Sequence, residues 1–191
     1  HVGRLSELYG TDYPFRRLGN YLAGADLTFG NLESPLASGG GPLPGKGICF
    51  RADPVMVREL NECGFDILSV ANNHSLDYDA PAFLETLENL KKEGIKAVGG
   101  GINLNQARQP LIIDKNGVKV GFLAYTEMAD IYYDSTYRRA FKASETECGV
   151  APLQREMVLQ DLARLEPQVD ITVVSLHWGT EYSDAPTDEQ R

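Results

Sequence analysis

The sequence predicts an α/β fold in which helices are layered on mixed β-structure. Three observations carry this. Apolar runs of strand length alternate with segments of helical period. One run, DILSV at 66–70, is almost continuously apolar, as a strand covered on both faces must be. The stretch LIIDKNGVKVGFLAY, 111–125, holds two apolar runs joined at Lys115-Asn116-Gly117. Asn-Gly between apolar runs is a strong hairpin signal, so an antiparallel pair joins the otherwise parallel pattern.

The elements follow in order. PFRRLGNYLAG, 14–24, reads as a helix with Phe15, Leu18 and Leu22 on one face and glycine as its stop. ADLTFG, 25–30, reads as a short strand that ends in NLESP. SGGGPLPGKG, 38–47, is a Gly/Pro-rich loop expected to be mobile or lid-like, and ICFRA, 48–52, a strand. Asp53 caps a helix with Pro54 at its first position, Val57, Leu60 and Cys63 facing inward, and Gly64 as its end. After DILSV, a helix over 81–93 carries Phe83, Leu87 and Leu90 on one stripe and closes at Gly94. KAVGG, 96–100, is a strand, and the hairpin follows. Residues 127–149 show no period and read as loop. Pro152 opens a helix with Leu153, Met157, Leu159 and Leu162, and DITVVSL, 170–176, is the last strand.

The 191 residues are about one domain's worth. Both ends read as cut: APTDEQR starts a helix with Thr187 as N-cap and stops, so a fragment of a longer protein is expected. Apolar residues make up 42% and charged residues 24%, enough for a packed core. The net charge of −9 argues against nucleic acid or anionic lipid as a partner, because both need clustered Lys and Arg. It also means that an anionic substrate needs a local positive charge, such as a metal ion. No apolar run is long enough to span a membrane. The cysteines, Cys49, Cys63 and Cys148, lack CxxC spacing and read as small buried thiols.

Polar side chains gather after strands. Glu33 follows strand 25–30, Asn72, Asn73 and His74 follow strand 66–70, and His177 follows strand 170–176. In open α/β sheets, ligands bind beyond the carboxyl ends of strands. Each cluster has a plainer reading: adjacent asparagines can supply turn conformations, and Glu33 can be a solvated loop acid. Taken together, a carboxylate, an amide oxygen and an imidazole suit a hard or borderline divalent ion. No GxSxG elbow is present, and no dinucleotide fingerprint or P-loop lysine pattern follows a strand.

At GNLESP (30–35), ANNHSLDYD (71–79) and HWGTEYSDAPTDEQ (177–190) the sequence resembles the bacterial capsule-synthesis family of the poly-gamma-glutamate type. That family has the calcineurin-like metallophosphoesterase superfold, a sandwich of two mixed sheets flanked by helices. The resemblance implies an extracytoplasmic, cell-surface and often membrane-anchored protein of capsule polymer assembly or export. It implies a divalent ion (Mn, Fe or Zn) held by Asn73, His177 and Glu33, with His74 as general acid and Asp77 orienting it. Asn72, Trp178, Glu181 and Tyr182, within the same motifs, are expected to contact substrate. The partners implied are an anionic polymer or phosphoester and membrane subunits of a capsule synthase. Two superfamily elements, a Gly-Asp pair on a first strand and a late histidine-rich segment, have no match here.

Three functions stay open on the sequence. One is metal-assisted hydrolysis of a phosphoester or related bond. Another is a non-catalytic, polymer-binding scaffold. The third is metal-independent handling of an amide or peptide.

Overall fold

The computed structural model describes residues 2–137 and 139–191. His1 therefore lies outside the described residues. The chain opens with α1 (Val2–Tyr9) and a one-turn α2 (Gly19–Leu22). The predicted helix over 14–24 is mostly turns, and Leu18 stands 56% exposed. Strand β1 (Phe29–Asn31), helix α3 (Met56–Glu62) and strand β2 (Ile67–Ser69) come next. They are followed by α4 (Asp79–Lys92), β3 (Lys96–Val98), β4 (Gly100–Gly101) and the short α5 (Leu104–Ala107). The hairpin is β5 (Leu111–Lys115) and β6 (Val118–Thr126). Then come β7 (Gly149–Val150), α6 (Arg155–Leu165) and β8 (Ile171–His177).

Strands β1, β2 and β3 form one parallel sheet with β2 in the middle, in the register Phe29↔Ile67↔Lys96. A second sheet has the order β5-β6-β8. Within it β5 is antiparallel to β6, and β8 runs parallel to β6 from Val120↔Ile171 to Thr126↔His177. The hairpin turn has positive φ at both Asn116 (57°) and Gly117 (84°), as a type I′ turn requires. A small ribbon pairs β4 with β7.

Period-two alternation sorts the core into layers. On β2 and just after it, Leu68 and Val70 face α3 and α4 and pack with Val57, Leu60, Phe83 and Leu90. Ile67 and Ala71 point the other way, into the space between the sheets, where they meet Phe122 and Ala124 of β6. The rings of Phe29 and Phe122 stack there at 5.8 Å. The remaining face of β6, Leu123 and Tyr125, packs on Leu165 of α6. The protein is thus a sandwich of two sheets with helices on its outer faces. Burying a side chain such as Phe83 or Leu90 contributes about 1.5–3 kcal/mol.

Several local expectations differ from the structure for identifiable reasons. ICFRA is not a strand: it makes only an isolated bridge, Leu36↔Ala52. The Phe50 N–H that a ladder would use donates instead to the Asp77 carboxylate at 2.5 Å. The Gly/Pro loop is pinned to the body, with Leu43 N–H on the Asp77 carbonyl at 2.8 Å. α3 keeps Val57, Leu60 and Cys63 inward as expected, and Gly64 ends it at φ 92°, where a Cβ would come 2.7 Å from Ala23 Cα. α6 begins at Arg155 rather than Pro152, and Leu159 is exposed; the inward stripe is the buried Leu165 with the partly buried Val158 and Leu162. Thr187 does cap a helical turn, Asp188–Gln190, through a capping box.

Candidate functional site

Because β1 and β2 run parallel in one sheet and β6 and β8 in the other, their carboxyl ends open on a common cleft. Glu33 follows β1, Asn73 follows β2, and His177 ends β8. His177 Nε2 lies 2.9 Å from Asn73 Oδ1 and 3.9 Å from Glu33 Oε1. The cleft, about 330 Å³, is also lined by Glu127, Trp178 and Glu181. Glu33 is held from below by Asn31, whose Nδ2 donates to Glu33 Oε2 at 3.0 Å.

Not every residue singled out on sequence reaches the cleft. Asn72 is fully buried beneath it. Its amide nitrogen donates to Asn31 Oδ1 at 3.0 Å and to the Leu32 carbonyl at 2.8 Å. Its amide oxygen accepts from His74 N–H at 3.0 Å and Ser75 Oγ at 2.9 Å. An asparagine side chain has two donor hydrogens and two acceptor lone pairs, so nothing is left for a substrate. Asn72 frames the loop that presents Asn73 and His74, which corrects its expected place in substrate contact. The Tyr182 side chain is wholly exposed and does not line the cleft.

His74 and Asp77 are joined by the turn their spacing makes, with Asp77 N–H donating to the His74 carbonyl at 3.1 Å. His74 Nδ1 lies 2.7 Å from Asp77 Oδ2. The Asp77 carboxylate also accepts from Phe50 N–H and from the ammonium of Lys46. A carboxylate oxygen accepts, so Nδ1 carries the proton it shares with Asp77; His74 itself is 8% exposed and is not among the residues that line the cleft. The Phe50 ring stacks on the imidazole at 4.2 Å and fixes its plane. Behind this group, burial pushes the Tyr133 phenol above its ordinary pKa of 10.0, and the Asp77 charge adds to the shift.

The Asn73 amide oxygen, the His177 imidazole and the Glu33 carboxylate are donors of the kinds a divalent cation takes. Two ligands about 2.1 Å from one ion stand about 3 Å apart when adjacent, close to the Asn73–His177 separation. Among the described residues, no group of three or more His, Cys, Asp or Glu side chains gathers in this way, so the set depends on the Asn73 amide.

Lys46, Glu127 and Asn31 were not singled out by the sequence. Glu127 follows β6 as directly as His177 ends β8, and its Oε1 accepts Gly179 N–H at 2.6 Å. The strand-end signal that marked the others would have found it. Nothing local marks Lys46, which arrives from a loop 27 positions before Asn73.

The two sheets, one parallel and one mixed, stack with helices on their outer faces. A solved structure assigned as a 5′-nucleotidase from Staphylococcus aureus has this arrangement over 92% of this chain and 33% of its own, with a TM-score of 0.53 and 15% identity, a likeness of fold. The chain belongs to the family described as bacterial capsule synthesis protein PGA_cap, which it matches over residues 2–191. It is 28% identical over 197 residues to the capsule biosynthesis protein CapA of Bacillus anthracis, covering 100% of this chain and 46% of the relative. It is also 28% identical over 193 residues to the PGA biosynthesis protein CapA of Bacillus subtilis, covering 100% of this chain and 49% of the relative. The chain thus spans about half the length of these curated relatives.

Proposed function

We propose that the protein containing this chain works in the assembly or export of a poly-gamma-glutamate capsule, by metal-assisted hydrolysis of a phosphoester or related bond. The observation that carries this reading is the Asn73–His177 contact at 2.9 Å in a cleft of the metallophosphoesterase-like sandwich. Asn73, His177 and Glu33 would hold the ion, with Mn, Fe or Zn suited to this donor set. Such an ion supplies Lewis-acid polarisation of the scissile group and the positive charge that an anionic substrate needs.

The chain's own residues do the rest. Glu33, Glu127 and Glu181 make the cleft wall acidic, so it repels a polyanion until a cation offsets them. Trp178 offers an apolar wall beside them. His74 Nε2 gives a proton to the leaving oxygen, a step worth about 10²–10⁴ in rate. Asp77 holds the imidazole by Nδ1–H and keeps Nε2 in place.

A second reading, a polymer-binding scaffold without catalysis, is favoured by one observation. The described residues contribute a single imidazole and a loosely placed carboxylate beside the Asn73 amide. In either reading the protein acts at the cell surface, alongside membrane subunits of a capsule synthase. No helix among the described residues is long and apolar enough to cross a membrane. The deciding experiment is metal analysis of the full-length ectodomain with an aryl phosphodiester assay. Stoichiometric Mn, Fe or Zn together with turnover supports the hydrolase. Metal-free, inactive protein that binds poly-gamma-glutamate supports the scaffold.

A further inference from the structure

Lys46 stands behind the His74–Asp77 pair, its side chain only 5% exposed. Its ammonium donates to the Asn73 carbonyl at 2.5 Å and to Asp77 Oδ1, and lies 3.3 Å from His74 Nδ1. The rings of Tyr133 and Phe141 cover it at 5.1 and 5.0 Å. The bend that delivers it needs Gly45, at φ 76°, where a Cβ would meet the Tyr133 carbonyl at 2.2 Å.

An ammonium donates and cannot accept. On Oδ1 it leaves Oδ2 to the imidazole and to Phe50 N–H, and so decides which carboxylate oxygen faces His74. On the Asn73 carbonyl it anchors the main chain from which the Asn73 amide reaches His177. One buried cation therefore touches both halves of the site: the residue placed to hold an ion and the pair placed to move a proton.

We propose that Lys46 is a positioning residue that sets the His74 imidazole and the Asn73 amide in register with each other, making the Gly/Pro-rich loop a fixed part of the site. This rests on the proposed reading for its effects on turnover and on Mn²⁺ affinity. The placement of His74 is separate and can be read by spectroscopy.

The test is Lys46→Met in the full-length protein, with imidazole ¹⁵N NMR, Mn²⁺ titration and turnover measured together. The expected result in folded protein is loss or at least tenfold faster exchange of the His74 Nδ1-bound proton. A fall of about 10–100-fold in kcat or Mn²⁺ affinity should accompany it, the range for residues that orient ligands, with KM little changed. A folded variant whose imidazole signal, affinity and kcat all match wild type overturns the proposal and leaves Lys46 a structural charge partner. Should Lys46→Met not fold, Asp77→Asn is compared with Lys46→Met/Asp77→Asn, which buries no unpaired carboxylate. Equal imidazole spectra but weaker Mn²⁺ binding in the double variant support the proposal, and equal binding overturns it. Wild type without turnover removes the hydrolase reading, while the imidazole readout still decides the role of Lys46.

Discussion

His177 Nε2 and Asn73 Oδ1 sit 2.9 Å apart although the residues are 104 positions apart in the chain. Each ends or follows a strand of a different sheet, so their meeting depends on how the two sheets stack.

Replacing either residue by alanine should weaken Mn²⁺ binding at least about tenfold in the full-length protein. Calorimetric titration measures it. Unchanged affinity in both variants would remove the pair from the ion's neighbourhood.

His74→Ala should lower hydrolytic turnover by about 10²–10⁴ while leaving metal content near that of wild type. Parallel assay and metal analysis separate the two. Loss of metal in step with activity would make His74 a ligand. Asp77→Asn should act in the same direction through the orientation of the imidazole.

Glu85 ties α4 to the Gly/Pro loop by accepting from Ser38 N–H at 2.8 Å and Gly39 N–H at 2.9 Å. Those main-chain donors hold its carboxyl below its ordinary pKa of 4.5. A depressed carboxylate contributes stability above its unfolded pKa and loses it as pH falls through the folded one. Glu85→Gln should therefore lower Tm at pH 7, and the gap from wild type should close as pH drops below 4.5. Melting curves across pH 3–7 check this, and a gap that widens in acid would refute it.

Asp161, on the buried face of α6, accepts a bidentate pair from Arg108 at 2.9 Å and the Tyr125 hydroxyl at 2.9 Å. Asp161→Ala should destabilise the fold by about 3–5 kcal/mol, because it strands a largely buried guanidinium and a buried hydroxyl. Mn²⁺ affinity should not change in the folded fraction, since these groups lie on the α6 side of the second sheet. Denaturant unfolding gives the first quantity and titration the second.

How much of this was legible in the chain depends on the range of each interaction. The turn at Asn116-Gly117, the Gly64 stop and the inward stripe Val57–Leu60–Cys63 are set by neighbours within a few positions, and all are readable. The strand-end position of Asn73 and His177 was readable as well, because polar side chains after apolar runs mark where strands leave the core. Elsewhere tertiary partners overrode local pattern. Phe50 gave its N–H to Asp77 instead of a ladder, and Asn72 spent its amide on the frame of the loop. By itself, then, the sequence determined the α/β layering and the residue types at the strand ends, since periodicity and turn chemistry act locally. Only the tertiary structure decided that Glu33 approaches His177 and that Lys46 reaches behind Asp77. Those pairings follow from the stacking of two sheets and the path of one glycine-rich loop, and no nearby residue encodes either.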